Sequence, residues 1–183
     1  MRRALRAHPS DDRGAVVRIE VEIRRRRARR LELSFELTGD PRQLRIPPPS
    51  PPARADGLWR RTCFEAFVAL EGGGYLEFNF SPSGEWAAYR FDSYREAMAP
   101  LELEVPPRIT FARSAQGVTL TAALELRDLP GLGDSRAWRI GLAAVIEDSQ
   151  GHIRYWALAH PPGKPDFHHA DGFACDVRPP EAP

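Results

Sequence analysis

Lysine is almost missing from this chain: Lys164 stands alone among 26 basic residues, and the other 25 are arginine. Cysteine occurs only at positions 63 and 175, too few for the cross-linked framework on which small secreted folds depend. No stretch approaches the roughly 18 uncharged apolar residues of a membrane span. The opening MRRALRAHPSDD carries arginines but lacks the apolar segment of a secretory signal. These absences lead to an expected cytoplasmic location, reduced thiols and no membrane partner. A long amphipathic helical period is also lacking, as is any internal repeat, which argues against a helical bundle or a solenoid.

What is present suits a single globular domain. The chain has 183 residues, of which 42% are hydrophobic and 28% charged, and the length falls in the usual span for one domain. The formal net charge of +1 hides an asymmetry: residues 1–30 hold eleven arginines against four acids, so the rest of the chain is acidic. Residues 1–14 are expected to form a flexible basic arm, 15–178 the folded domain and 179–183 a frayed tail. By composition the run RRRRARR at 24–30 looks like a nucleic-acid patch. Val17, Ile19, Val21 and Ile23 before it, and Leu31, Leu33, Phe35 and Leu37 after it, alternate with polar residues as half-buried strands do. The run is therefore expected at the tip of a long hairpin, and nucleic acid is not the expected partner.

Further strand-like runs cover 59–70, 74–81, 85–92, 101–105, 108–115, 117–127, 137–147, 152–159 and 172–177. With the first two they predict an all-β antiparallel fold of about eleven strands, a sandwich or a barrel. Residues 92–98 could instead hold a helical turn. The segment PPPSPPARADG at 47–57 is read as extended chain without ladder hydrogen bonds.

Residues 58–94 are the most informative. They read as three antiparallel strands joined at EGGG and SPSGE. Parity places Phe64, Ala66, Val68 and Leu70, then Leu76, Phe78 and Phe80, then Ala87, Tyr89 and Phe91, on the core side. The opposite stripes are Val118, Leu120 and Leu124, with Trp138, Ile140 and Leu142. The reverse face would carry Cys63, Glu65, Phe67, Tyr75, Glu77, Asn79, Trp86 and Arg90, with Trp59 at its lip. Carboxylates, a carboxamide, a guanidinium and aromatic plates on one sheet face match a small polar ligand that also has apolar patches.

The run LWRRTCFEAFVAL followed by YLEFNFSPSGEWAAYRFDSYREAM, together with the closing YWALAHPPGKPDFHHADGFA, resembles the DOMON-like superfamily in the branch near family 9 carbohydrate-binding modules. The resemblance implies an Ig-like or jelly-roll β-sandwich with a ligand-binding face that takes sugars or, in the cytochrome branch, haem. The binding positions it implies fall at Trp59, Glu65, Asn79, Trp86 and Arg90. It implies no reaction.

The loop from His160 to Asp171 gathers three imidazoles, two carboxylates and Lys164. A divalent metal is one reading, since His and Asp ligate zinc or iron, although His160 and His168 follow no familiar ligand spacing. A structural loop is another, and a loop that closes a ligand pocket is the third. Lys164 stands where the chain departs from arginine, and a compact ammonium suits a phosphate, carboxylate or carbonyl. Haem would need a methionine and a histidine, and Met98 is the only internal methionine. Glu65 and Glu77 could form a carboxylate pair for glycoside chemistry, which their separation would decide.

The reading that combines these features is a non-catalytic module for a small, sugar-like ligand, with no cofactor. Trp59 and Trp86 would stack on the ligand, while Glu65, Glu77, Asn79 and Arg90 bind its hydroxyls. His160, Lys164 and His168 would close the pocket. The alternatives are a haem-binding domain, a metal-assisted enzyme using His160, Asp166 and His168, and an adaptor binding nucleic acid through Arg24–Arg30.

Overall fold

A computed structural model describes residues 1–11, 14–27, 29–127, 129–134 and 136–180. Most of the period-two segments become strands. They are β1 (Arg2–Ala7), β2 (Val16–Arg27), β3 (Arg30–Gly39), β4 (Cys63–Ala69), β5 (Tyr75–Phe80) and β6 (Trp86–Phe91), followed by β7 (Ala99–Pro100), β8 (Arg108–Ser114), β9 (Gly117–Glu125), β10 (Trp138–Glu147), β11 (Ile153–Ala157) and β12 (Cys175–Val177). Every ladder between them is antiparallel. The order is β7-β6-β5-β4-β10-β11-β1-β2-β3-β9-β8, with β12 also on β10.

This sheet is continuous, and it curls so that its two halves face each other as a sandwich. The corner is β1. Arg2 to Leu5 pair with β2, and Arg6 and Ala7 pair with β11, so six residues bridge both halves. A strand that switches sheets is a standard way to turn such a corner. The halves meet at Phe35 of β3 and Phe64 of β4, whose rings lie 5.1 Å apart. Around them the alternating residues of β2, β3 and β9 close onto those of β4, β5 and β10. Each fully buried aliphatic or aromatic side chain there contributes about 1.5–3 kcal/mol.

The all-β antiparallel sandwich matches the sequence reading, and several details differ. The opening residues are strand β1 and not an arm, because two strand edges are open to receive them. The arginine run lies inside the hairpin ladder, where pairing continues to Arg27↔Arg30. Arg25 is buried there, donating to the carbonyls of Gly133, Asp134 and Arg136 with its guanidinium 3.7 Å above the Trp138 ring. Residues 101–105 are not a strand: the ladder with β6 covers Ala99 and Pro100 and ends where the Leu101 N–H donates to the Ala88 carbonyl at 2.9 Å. Residues 92–98 form a turn bridged by Ser93 and Glu96, with Arg95 and Ala97 at φ of 56° and 52°. Most of the tail expected to fray at 179–183 lies outside the described residues.

Candidate functional site

β4 and β5 are buried on both faces. Their core faces follow the expected parity, and their outer faces are covered by the Leu58–Arg60 turn, the 92–98 turn and the loop after β11. Arg139 of β10 holds that loop down by donating to the carbonyls of Phe173 and Ala170. Gly141 allows the close approach: a Cβ there would lie 3.1 Å from the Gly172 carbonyl oxygen. Under this cover an outer cluster forms around Phe67, Tyr75, Tyr89, Phe91 and Phe173.

Beside the cluster is a cavity of about 330 Å³. Its polar floor is Glu65 and Glu77, diagonal neighbours because Glu65 pairs with Asn79 and Phe67 with Glu77. Trp59, Phe91, Tyr155 and Phe167 supply aromatic walls, Val145 and Pro165 add apolar surface, and the exposed Arg95 and Met98 stand at the mouth.

Glu65 is 2% exposed, and its Oε1 has no hydrogen-bond partner among the described residues. Burial, reinforced by the negative charge of Glu77, pushes its carboxyl well above the usual range. Glu77 accepts from Asn79 Nδ2 at 2.7 Å. Burial raises it to about 6, opposed by the Asn79 bond and the Arg95 charge. The Cys63 thiol, 3.7 Å from Asn79 Oδ1, is pushed up by burial and by both glutamates.

His168 closes one side. Its Nδ1 lies 2.7 Å from the Tyr75 hydroxyl, which accepts from the Arg95 backbone N–H at 3.1 Å. The hydroxyl proton is thus free to go to Nδ1, which places the imidazole hydrogen on Nε2. Burial lowers His168 to about 4, with the Arg95 charge acting the same way. Nε2 is 3.9 Å from Glu77 Oε2, too long for a hydrogen bond. With the ring neutral, this contact is not an ion pair at neutral pH. Asp166 latches the cover: it accepts from Tyr94 OH at 2.5 Å, from Arg95 Nη2 at 2.9 Å and from the His168 backbone N–H at 3.1 Å.

Of the residues singled out from sequence, Trp59, Glu65, Glu77 and His168 line this cavity, and Asn79 lies behind Glu77. Trp86, Arg90, His160 and Lys164 do not line it. Trp86 is 7% exposed in the main core, because the five-residue turn sets Phe80 opposite Trp86 and so reverses the parity expected for β6. Ala87, Tyr89 and Phe91 therefore belong to the outer cluster. Arg90 shares the parity of Trp86 and has Asp92 Oδ1 at 3.8 Å from its Nε. His160 Nε2 contacts the Arg6 carbonyl oxygen, and Lys164 is exposed. His160, Asp166 and His168 thus hold separate partners, and no group of three potential metal ligands occurs among the described residues. The sequence reading missed Arg95, Tyr155 and Phe167, placed Phe91 on the core side, and weighed Met98 only as a haem ligand. Only Tyr155, out of phase with the core residue Trp156, left a periodic signal.

No family model and no curated protein matches this chain. Its fold does have a counterpart among solved structures. A protein from Bacteroides uniformis ATCC 8492, described provisionally as carbohydrate-binding, aligns at a TM-score of 0.67 over 94% of this chain and 83% of its own. Sequence identity is 13%, so the likeness is one of fold. No helix among the described residues is long and apolar enough to cross a membrane.

Proposed function

We propose that the chain is a non-catalytic binding module whose outer-face cavity takes a small polar ligand of the carbohydrate class. The observation that carries this reading is Glu65, a carboxyl buried in the cavity floor with one oxygen unpartnered. Leaving a buried polar group unsatisfied costs about 1–3 kcal/mol, a penalty that a ligand hydroxyl would remove. Glu77 adds a second polar anchor, and the faces of Trp59, Phe91, Tyr155 and Phe167 suit the apolar C–H faces of a sugar ring. The volume sits at the small end of ligand pockets, roughly 300–1,000 Å³, and fits a ligand of one or two rings. The fold shared with the Bacteroides protein supports the same class, as does the DOMON-like resemblance of the sequence.

Neither haem nor a metal belongs to this reading. Met98 and His168 both border the cavity, but Nδ1 of His168 is occupied by Tyr75 and Nε2 faces Glu77. The test is a glycan-binding screen of the parent chain and of Glu65→Leu and Trp59→Ala. The reading expects hits for the parent that both variants lose; variants that bind every hit as well as the parent would overturn it.

A further inference from the structure

The cavity has an unbalanced charge inventory. Its floor presents two carboxyls, and no cation among the described residues is paired with either. Glu65 Oε1 is buried and unpartnered, and Glu77 receives only the neutral amide of Asn79. Of the groups facing them, Cys63 on β4 is a neutral thiol, Ala143 and Val145 on β10 are apolar, and Tyr89 on β6 donates to Asp56. From the cover come Tyr155, neutral His168 and Arg95. Among the described residues the Arg95 guanidinium is the one cation in the lining, and it is committed to Asp166 at 2.9 Å. Lys164, the remaining ammonium of the nearby loop, is exposed and outside the cavity.

The walls complete the pattern. Trp59, Phe91, Tyr155 and Phe167 line the same small space, and aromatic faces attract cations most strongly where water is excluded. Two uncompensated carboxyls under aromatic rings therefore match an ammonium better than they match a neutral hydroxyl cluster.

Resting on the carbohydrate reading above, we propose that the ligand is an amino sugar, with its protonated amine seated on Glu65 and Glu77. A positive charge there favours the ionised carboxyls, so binding drives a proton from the Glu65 and Glu77 pair to solvent. Affinity for the amine accordingly rises with pH while the sugar remains an ammonium ion. A neutral sugar releases no such proton.

The experiment is isothermal titration calorimetry on the full chain. The gluco, galacto and manno hexosamines are compared with their N-acetyl and neutral counterparts, between pH 5 and 7, in two buffers of different ionisation enthalpy. At least one hexosamine is expected to bind at least about tenfold tighter than its two counterparts, in line with a charge-assisted hydrogen bond formed between the amine and a buried carboxylate. Its heat should differ between buffers in the sense of proton release, and Glu65→Gln should reduce it to the affinity of the neutral sugar. A neutral or N-acetyl sugar that binds as tightly as the hexosamine overturns the amine assignment and leaves the carbohydrate reading standing. Binding of tetramethylammonium with none of the nine sugars overturns the carbohydrate reading, and with it this assignment. No binding by any of these probes overturns both.

Discussion

The Tyr75 hydroxyl and Nδ1 of His168 share a hydrogen bond of 2.7 Å, joining β5 to the loop that covers it. The same oxygen accepts the Arg95 backbone N–H, so one side chain secures both covering segments. Tyr75→Phe would keep the ring stacked on Phe91 at 4.7 Å but leave a buried acceptor and a backbone donor unmatched. The expected loss is about 1–3 kcal/mol in urea unfolding, with faster amide exchange across residues 160–171 than in β4 or β5. Unchanged exchange in that loop would show that the bond does not hold the cover.

The two tryptophans of the middle segment should separate cleanly. Trp86 fills the main core, so Trp86→Ala is expected to cost about 3–5 kcal/mol of stability while the folded fraction still binds ligand. Trp59 is half-buried and touches Tyr89 edge-on at 5.8 Å. Trp59→Ala should cost about 1 kcal/mol yet remove binding. Thermal melts paired with titrations of a screen hit check both outcomes.

Stability should respond to pH through Glu77 and His168 in opposite directions. Glu77 is raised from 4.5 to about 6 in the folded chain, which therefore holds the proton more tightly than the unfolded chain. Its contribution, about 2 kcal/mol, is complete below pH 4.5 and gone once the pH passes 6. His168 is lowered from 6.5 to about 4, so its contribution is complete above pH 6.5 and lost as the pH falls to 4. Glu65, raised well above the carboxylate range, carries the downward trend further into neutral pH. Melting temperatures from pH 4 to 7 should climb more steeply with pH in Glu77→Gln than in the parent, and fall more steeply in His168→Gln. Parallel profiles for all three proteins would contradict these assignments.

Arg25 should be a stability residue despite its place in an arginine run. Its guanidinium serves three loop carbonyls and lies over Trp138. Arg25→Ala is expected to lose at least about 2 kcal/mol, since buried acceptors are left unmatched. Lysine cannot supply the same fork of donors, so Arg25→Lys should recover little. Chemical denaturation of both variants measures this.

Much of the fold and part of the site are legible in the residue pattern, and the failures share a physical origin. In β4 and β5 the polar residues Glu65, Glu77 and Asn79 mark one parity, so alternation alone tells the two faces apart. In β6 every residue but Arg90 is apolar or aromatic, because both faces are buried. Alternation carries no sign there, and the turn geometry that pairs Phe80 with Trp86 decides the matter. Arg95 reaches the cavity from a left-handed turn, a conformation that arginine does not advertise. Lys164 draws notice through composition alone, which says nothing about where a side chain points.

The central claim is that the cavity over Glu65 is where the ligand sits. A crystal structure of the chain with a hit from the glycan screen tests it most directly. The account predicts the ligand between Trp59 and Phe167, with a polar atom within hydrogen-bond distance of Glu65 Oε1. A ligand bound elsewhere on the sheet, with that oxygen still unpartnered, would contradict it.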